Sequence, residues 1–252
     1  MSRDIDNYVA NYSSEDHYSF EIHQVEYRRR NILEQIGKYP HYSILEVGCG
    51  TEPFFQFLNK FDKYTIVDPA EKFYNIAKSL SNKNKKIKIY NDFIENIDLE
   101  DKFDFIIISG LLHEVENPKY ILESVKKYLA KDSVIYINVP NAKSFHRLLA
   151  YESNLIEDIY SKSDNQIRFQ QSHTFDSCSL QNLVEGSGFS VISSGSYFIK
   201  PFTHKQMREM LGYNIISKKI LDGLNGMIKY CPELGSEIYI CCQINSKEKI
   251  KS

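Results

Sequence analysis

A chain of 252 residues with 42% hydrophobic side chains can bury one sizeable core, and its length does not demand a second domain. Its formal charge of -2 provides no global positive field for holding a polyanion, which argues against nucleic acid as a partner. The N-terminus lacks an apolar signal core and no stretch approaches the roughly 20 apolar residues of a membrane helix. A soluble, cytoplasmic protein without membrane insertion is the expectation.

In chain order, residues 20 to 37 set Phe20, Ile22, Val25, Ile32, Leu33 and Ile36 among charges, the spacing of an amphipathic helix. Tyr8, Tyr12, Tyr18 and Phe20 supply rings for a lid over a ligand, making residues 1 to 40 an N-terminal helical lid. Arg28, Arg29 and Arg30 offer guanidinium forks, yet successive helical residues point apart, so a solvated helix face is the leading expectation. Strand-like runs follow at Ser43 to Val47, Tyr64 to Asp68, Ile87 to Tyr90, Phe103 to Ser109 and Val134 to Val139. Helical patterns lie between several of them, at about 53 to 60, 70 to 80 and 117 to 130. Such alternation predicts a parallel sheet with crossover helices. Phe103 to Ser109, nearly all apolar after Asp104, reads as a central strand covered on both faces.

Beyond Pro140 the pattern changes. Residues 141 to 176 are polar with short apolar stretches and read as a cap. Ser179 to Gly186 reads as a helix and Phe189 to Ile199 as a strand. Residues 203 to 231 look helical with breaks near Gly212 and Gly223, Ile238 to Ile244 is a final strand, and Ser246 to Ser252 reads as a frayed tail. The organisation expected is one domain over 1 to 252, with a core at 41 to 140, cap insertions at 141 to 176 and 200 to 234, and the last strand within 235 to 245. The five cysteines form no CxxC pair and lack matching histidine spacing, so all are read as reduced and no metal is expected.

The chemistry concentrates at Ile44-Leu-Glu-Val-Gly-Cys-Gly-Thr. Gly48 and Gly50 let the backbone turn tightly and approach a ligand, and Asp68 closes the next apolar run. An acid there binds ribose hydroxyls or caps the helix that follows Pro69. Glu46, inside an apolar strand, requires a buried partner. A dinucleotide fingerprint would place its third glycine where Pro53 stands, and Glu46 offers nothing to a pyrophosphate. A ligand with a cationic amino group and no phosphate is the better match.

This segment resembles the first motif of class I S-adenosylmethionine-dependent methyltransferases, and the resemblance extends over residues 40 to 140. It implies a Rossmann-like α/β fold whose seven-stranded, mainly parallel sheet has its last strand antiparallel, with helical cap insertions. It also implies S-adenosyl-L-methionine as cofactor and S-adenosyl-L-homocysteine as product. Glu46, Gly48, Cys49 and Gly50 would surround the methionine moiety, Asp68 and Pro69 the ribose. Asp92 and Phe93 would meet the adenine, although a plain turn residue fits Asp92 almost as well. Ser109, Gly110 and the two residues after them would line the methyl-transfer side. The family often has glycine where this chain has Glu52, which puts the loop shape in question.

Methyl transfer from a sulfonium needs alignment of the acceptor and exclusion of water, plus a base where the acceptor is an alcohol. His113, just after the central strand, and His173, in the cap, are the candidate bases; the bland alternatives are a loop-holding histidine and a surface one. The segments Val139 to Arg147 and Gly195 to Thr203 resemble those of methyltransferases encoded with bacterial surface-polysaccharide genes. That likeness implies O-methylation of a nucleotide-activated sugar or phosphorylated capsule precursor, with Asn141, His146, Arg147 and Lys200 touching this small-molecule acceptor. A cofactor-binding scaffold without turnover and, further off, a nicotinamide-dependent dehydrogenase are the alternatives. Base N-methylation is disfavoured because Ser109-Gly-Leu-Leu replaces the Asn-Pro-Pro-Tyr type of motif.

Overall fold

The computed structural model describes residues 15 to 245 together with Ile5 and Val9, and for residues 15 to 19, 164 and 165 the backbone alone. Tyr8, Tyr12 and the segment 246 to 252 lie outside the described residues, as does the Tyr18 side chain. Seven strands form one sheet: β1 (Ser43–Val47), β2 (Lys63–Val67), β3 (Ile87–Tyr90), β4 (Phe103–Ser109), β5 (Leu129–Pro140), β6 (Phe189–Tyr197) and β7 (Glu237–Ile244). Their order is β3-β2-β1-β4-β5-β7-β6, and the pairings from β3 through β5 are all parallel. β7, last in sequence, runs antiparallel between β5 and β6. The expected fold is therefore the observed one, with β4 at the centre of the order.

Alternate side chains along β1 and β4 feed two separate cores, as a pleat of period two requires. Leu45, Val47, Ile106 and Ile108 pack on one face with helices α3 (Pro118–Val125) and α6 (Ser177–Gly186), through Leu122, Val125, Leu180 and Val184. Ile44, Phe105 and Ile107 pack on the other with α1 (Glu15–Ile36) and α2 (Glu71–Leu80), through Ile32, Ile36, Phe73 and Ala77. Ile106 and Ile107 are fully buried, each contributing about 1.5–3 kcal/mol of transfer free energy. Capping follows the sequence locally: Asn117 accepts from the Tyr120 N–H ahead of Pro118, and Asp176 and Ser179 form a reciprocal capping box.

Three expected elements differ. The helix at 53 to 60 is a single 3-10 turn, Phe54–Phe57, ended by Leu58, which is already extended. The strand expected to reach Ile199 ends at Tyr197, since Phe198 takes the left-handed conformation with φ 54°. In the second insertion α7 (His204–Gly212) ends near Gly212 as expected, whereas Gly223 sits inside α8 (Lys218–Gly226). The break instead falls after Gly212, where Asn214 adopts φ 55°. The first insertion carries α4 (Phe145–Glu152) and α5 (Asp164–Arg168). Among the described residues no helix is long and apolar enough to cross a membrane.

Candidate active site

A cavity of about 400 Å³ opens where the carboxyl ends of β1, β2, β4 and β5 meet α1 and the insertions. Its first wall is the turn after β1. Gly48 and Gly50 have φ of 76° and 57°, and Gly110 after β4 has 64°, values that glycine takes without strain. Asp68 closes this turn. Its Oδ2 accepts from the N–H groups of Cys49 at 2.8 Å and Gly50 at 3.3 Å, and its Oδ1 accepts from Ala70 at 2.9 Å. The carboxylate is 3% exposed, and burial raises its pKa against the lowering pull of those three donors. Asp68 is thus both a loop-holder and the cap-like residue ahead of α2, and it still lines the cavity together with Pro69.

Glu46 has the buried partner its position demands. Tyr64 donates to Oε2 at 2.8 Å and the Phe54 N–H reaches both oxygens at 3.1 Å. Burial outweighs these donors and pushes its pKa up to about 8. A group raised from the ordinary 4.5 adds stability in full below that pH and loses it as pH rises through about 8. Resistance to urea is therefore expected to fall from pH 5 to pH 8, by up to about 1.4 kcal/mol per pH unit from this residue. Glu46→Gln, which mimics the neutral acid, should flatten that slope; an unchanged slope would place the proton elsewhere.

Glu52, where a glycine was the family habit, pairs with Arg29, whose guanidinium also lies 3.6 Å above the Phe57 ring. The loop is thereby clamped to α1. Arg28 turns inward: its Nε donates to Glu237 Oε2 at 2.9 Å, its Nη2 to Glu237 Oε1, and Nη2 lies 3.3 Å from Glu21. Gln24, Asn138 and Tyr197 also donate to Glu237. Burial pushes the Glu237 pKa up, but the Arg28 guanidinium and these donors more than offset it and hold the carboxyl below its usual range. The solvated face expected for the three arginines holds only for Arg30, which joins Glu26 and Asp222 near the surface. Arg28 and Arg29 line the cavity.

The opposite wall comes from the loop after β4 and the first insertion. Ser109, Gly110 and His113 line it, and His113 is 5% exposed with Nε2 3.8 Å from the Glu114 carboxylate. The His113 carbonyl accepts from the N–H groups of Ser172 and His173, at 2.9 and 3.0 Å, so the two candidate histidines share one docked segment. His173 Nε2 lies 3.0 Å from the Glu116 carbonyl, an acceptor only, which puts the ring proton on Nε2 and leaves Nδ1 a lone pair.

Four expected acceptor contacts also reach this cavity, but with different freedom. Asn141 is spent on structure: its amide donates to the carbonyls of Glu233 and Gly235 and its oxygen accepts from Lys143 N. Arg147 is occupied by the carbonyls of Ile159 and Ser161 and by Gln166, so its main work is holding the insertion. His146 and Lys200 remain available. Asp92 and Phe93 stand outside the cavity lining; Asp92 accepts from its own neighbour Phe93 N and from Asn96, the arrangement of a turn residue.

The wall fits a nucleoside cofactor bearing an ammonium and no phosphate. The Asp68 carboxylate and the Glu46 carboxyl group line it beside the glycine turn, Arg29 is already paired with Glu52, and a Cβ at Gly110 would project into open space. The fold and this turn together define the class I S-adenosylmethionine-dependent methyltransferases. Residues 22–194 match the family described as methyltransferase domain, and the chain belongs to that family. It is 27% identical over 123 residues to a thiol S-methyltransferase of Mus musculus, covering 45% of this chain and 50% of the relative. It is 29% identical over 127 residues to a malonyl-acyl-carrier-protein O-methyltransferase of Bacillus cereus, covering 49% and 47%. The chain thus spans about half the length of these curated relatives. Among solved structures, the N-methyltransferase NodS of Bradyrhizobium japonicum, crystallised with S-adenosylhomocysteine, superposes with TM-score 0.59 at 10% identity, over 95% of this chain and 97% of that one. A possible histamine N-methyltransferase of Thermotoga maritima superposes with 0.59 at 18% identity, over 89% and 91%. These structural likenesses show the fold alone; the family match decides for S-adenosylmethionine over a nicotinamide cofactor.

Sequence reasoning missed Gln24, Tyr64, Glu21 and Glu237 as builders of the site. Glu237 left one trace, a carboxylate at the head of an otherwise apolar strand.

Proposed function

We infer that this chain methylates a hydroxyl of a small acceptor, such as a nucleotide-activated sugar or a phosphorylated precursor of a surface polysaccharide. The observation that carries the reading is one cavity lined at one side by Glu46, Gly48, Cys49, Gly50, Asp68 and Pro69, and at the other by two histidines and Lys200. S-adenosylmethionine supplies a methyl group on a sulfonium, already activated for displacement. The chain's own work is positioning, water exclusion and proton removal. Glu46 and Asp68 orient the cofactor's ammonium and ribose. His173, with Nδ1 unprotonated, is the better placed base, and His113 holds the segment that carries it. Relatives that methylate a thiol and an acyl carrier protein's malonyl group keep other acceptor atoms in the comparison.

His173→Ala is expected to lower turnover on a hydroxyl acceptor about 100-fold or more while S-adenosylhomocysteine affinity stays within about twofold. Product assays over activated sugars, thiols and carboxylic acids provide the check. Full turnover in both His173→Ala and His113→Ala would remove the base assignment, and cofactor binding without any methylated product would favour a scaffold.

A further inference from the structure

Lys200 stands three residues beyond β6, after the left-handed Phe198 has turned the chain inward, and the residue is 7% exposed. Its amine faces the cavity and makes no hydrogen bond or ion pair among the described residues. The carboxylates near it are already committed. Glu237 is filled by Arg28, Gln24, Asn138 and Tyr197, and Glu21 is held by Arg28 and lies 3.7 Å from His204 Nδ1. Burial lowers the lysine's pKa to about 8 even though Glu21 and Glu237 pull it upward. A cation kept in such a place costs stability, so the fold gains nothing visible from it.

His146 belongs to the same corner. Ser144 Oγ lies 3.1 Å from its Nδ1, and its Nε2 makes no hydrogen bond among the described residues. Burial, then the charges of Lys200, His204 and Arg147, hold its pKa well below the ordinary value, so the ring is neutral. Either atom can donate in that contact; in the tautomer in which Ser144 donates to Nδ1, the ring proton sits on Nε2 and is available to an acceptor atom. In that tautomer the cavity is lined by an ammonium and a ring N–H, neither of which is hydrogen-bonded to a protein oxygen among the described residues. Both lack the same thing, an anionic oxygen from outside the chain.

We propose that Lys200 and His146 form an oxyanion subsite that seats a carboxylate or phosphate carried by the methyl acceptor. The inference rests on the methyltransferase reading and narrows its substrate class to anionic small molecules. It excludes Asn141 and Arg147 from that contact, because their polar atoms serve the fold.

Calorimetric titration of inorganic phosphate and, separately, malonate into the protein, with and without saturating S-adenosylhomocysteine, tests the subsite apart from turnover. At least one probe should bind the wild type, and Lys200→Met should weaken it about tenfold or more. Lys200→Arg should restore most of the affinity, and His146→Phe should lose part of it. Preference for phosphate or for malonate identifies the group. Melting of Lys200→Met without anion should occur above the wild type, since a buried unpaired amine is gone, and its S-adenosylhomocysteine affinity should be unchanged. The subsite is overturned if neither probe binds, if Lys200→Met binds them equally, or if that variant melts lower. Failure of the wild type to bind S-adenosylhomocysteine would instead strike the methyltransferase reading, and the anion titration without cofactor would still stand as its own test.

Discussion

Asp68→Ala should weaken S-adenosylhomocysteine binding by about 100-fold or more, since hydrogen bonds to a charged group contribute about 1.5–3 kcal/mol each. Three backbone donors, from Cys49, Gly50 and Ala70, lose their acceptor at once. The turn that carries Gly48 and Gly50 then has no fixed shape to present to a cofactor. Asp68→Asn separates this from a simple loss of charge. One amide oxygen can satisfy Ala70 or the Cys49 and Gly50 pair, while the NH2 group must face the remaining N–H donors. The asparagine variant should consequently bind within about threefold of the alanine variant. Calorimetry reads both; wild-type affinity in Asp68→Ala would remove the residue from cofactor binding altogether.

Glu237→Ala should destabilise the protein by about 3–5 kcal/mol, because it removes the carboxylate that takes two of the Arg28 guanidinium's hydrogen bonds and leaves Glu21 to balance that charge. Against a total of about 5–15 kcal/mol for an ordinary domain, that is a large share of the stability. Gln24, Asn138 and Tyr197 also lose their acceptor, which separates this pair from surface bridges such as Lys38 with Glu34. Combining Glu237→Leu with Arg28→Met should recover a large part of the loss, since neither member of the pair is then left buried without the other. A double-mutant cycle in urea reports the coupling. A cost below about 1 kcal/mol for Glu237→Ala would mean that water relieves Arg28.

These two residues also mark how far the chain could be read in advance. Ser43–Val47 and Phe103–Ser109 were legible to the residue because strands buried on both faces are mostly apolar and are bounded by turn formers, and the edge strand Ile87–Tyr90 because its side chains alternate, with Lys88 exposed. The glycine turn, Glu46 and Asp68 were legible as a local string whose meaning depends on neighbours within 25 residues. The Arg28–Glu237 pair was not, since the partners are 209 residues apart and only the sheet order brings β7 beside β5. For the same reason Arg28 and Arg29 read as solvated when they face the cavity. Asn141 and Arg147 have the chemistry of ligand contacts, but their donors point at backbone carbonyls that only the folded insertions supply. The helix expected after Pro53 lasts a single turn, because Leu58 is already extended.

The place of β7 has a consequence for synthesis. Strand β6 pairs with β7 alone, and β7 enters between β5 and β6 only after both have been translated. A nascent chain arrested before residue 237 has the partners for five paired strands, an unpaired β6 and an Arg28 that lacks Glu237. Such an intermediate presents strand edge and charge to the ribosome surface and to chaperones. The wall that links α1 to the insertions is thus assembled only once β7 is made, so the cavity is completed after the glycine turn that begins it rather than alongside it.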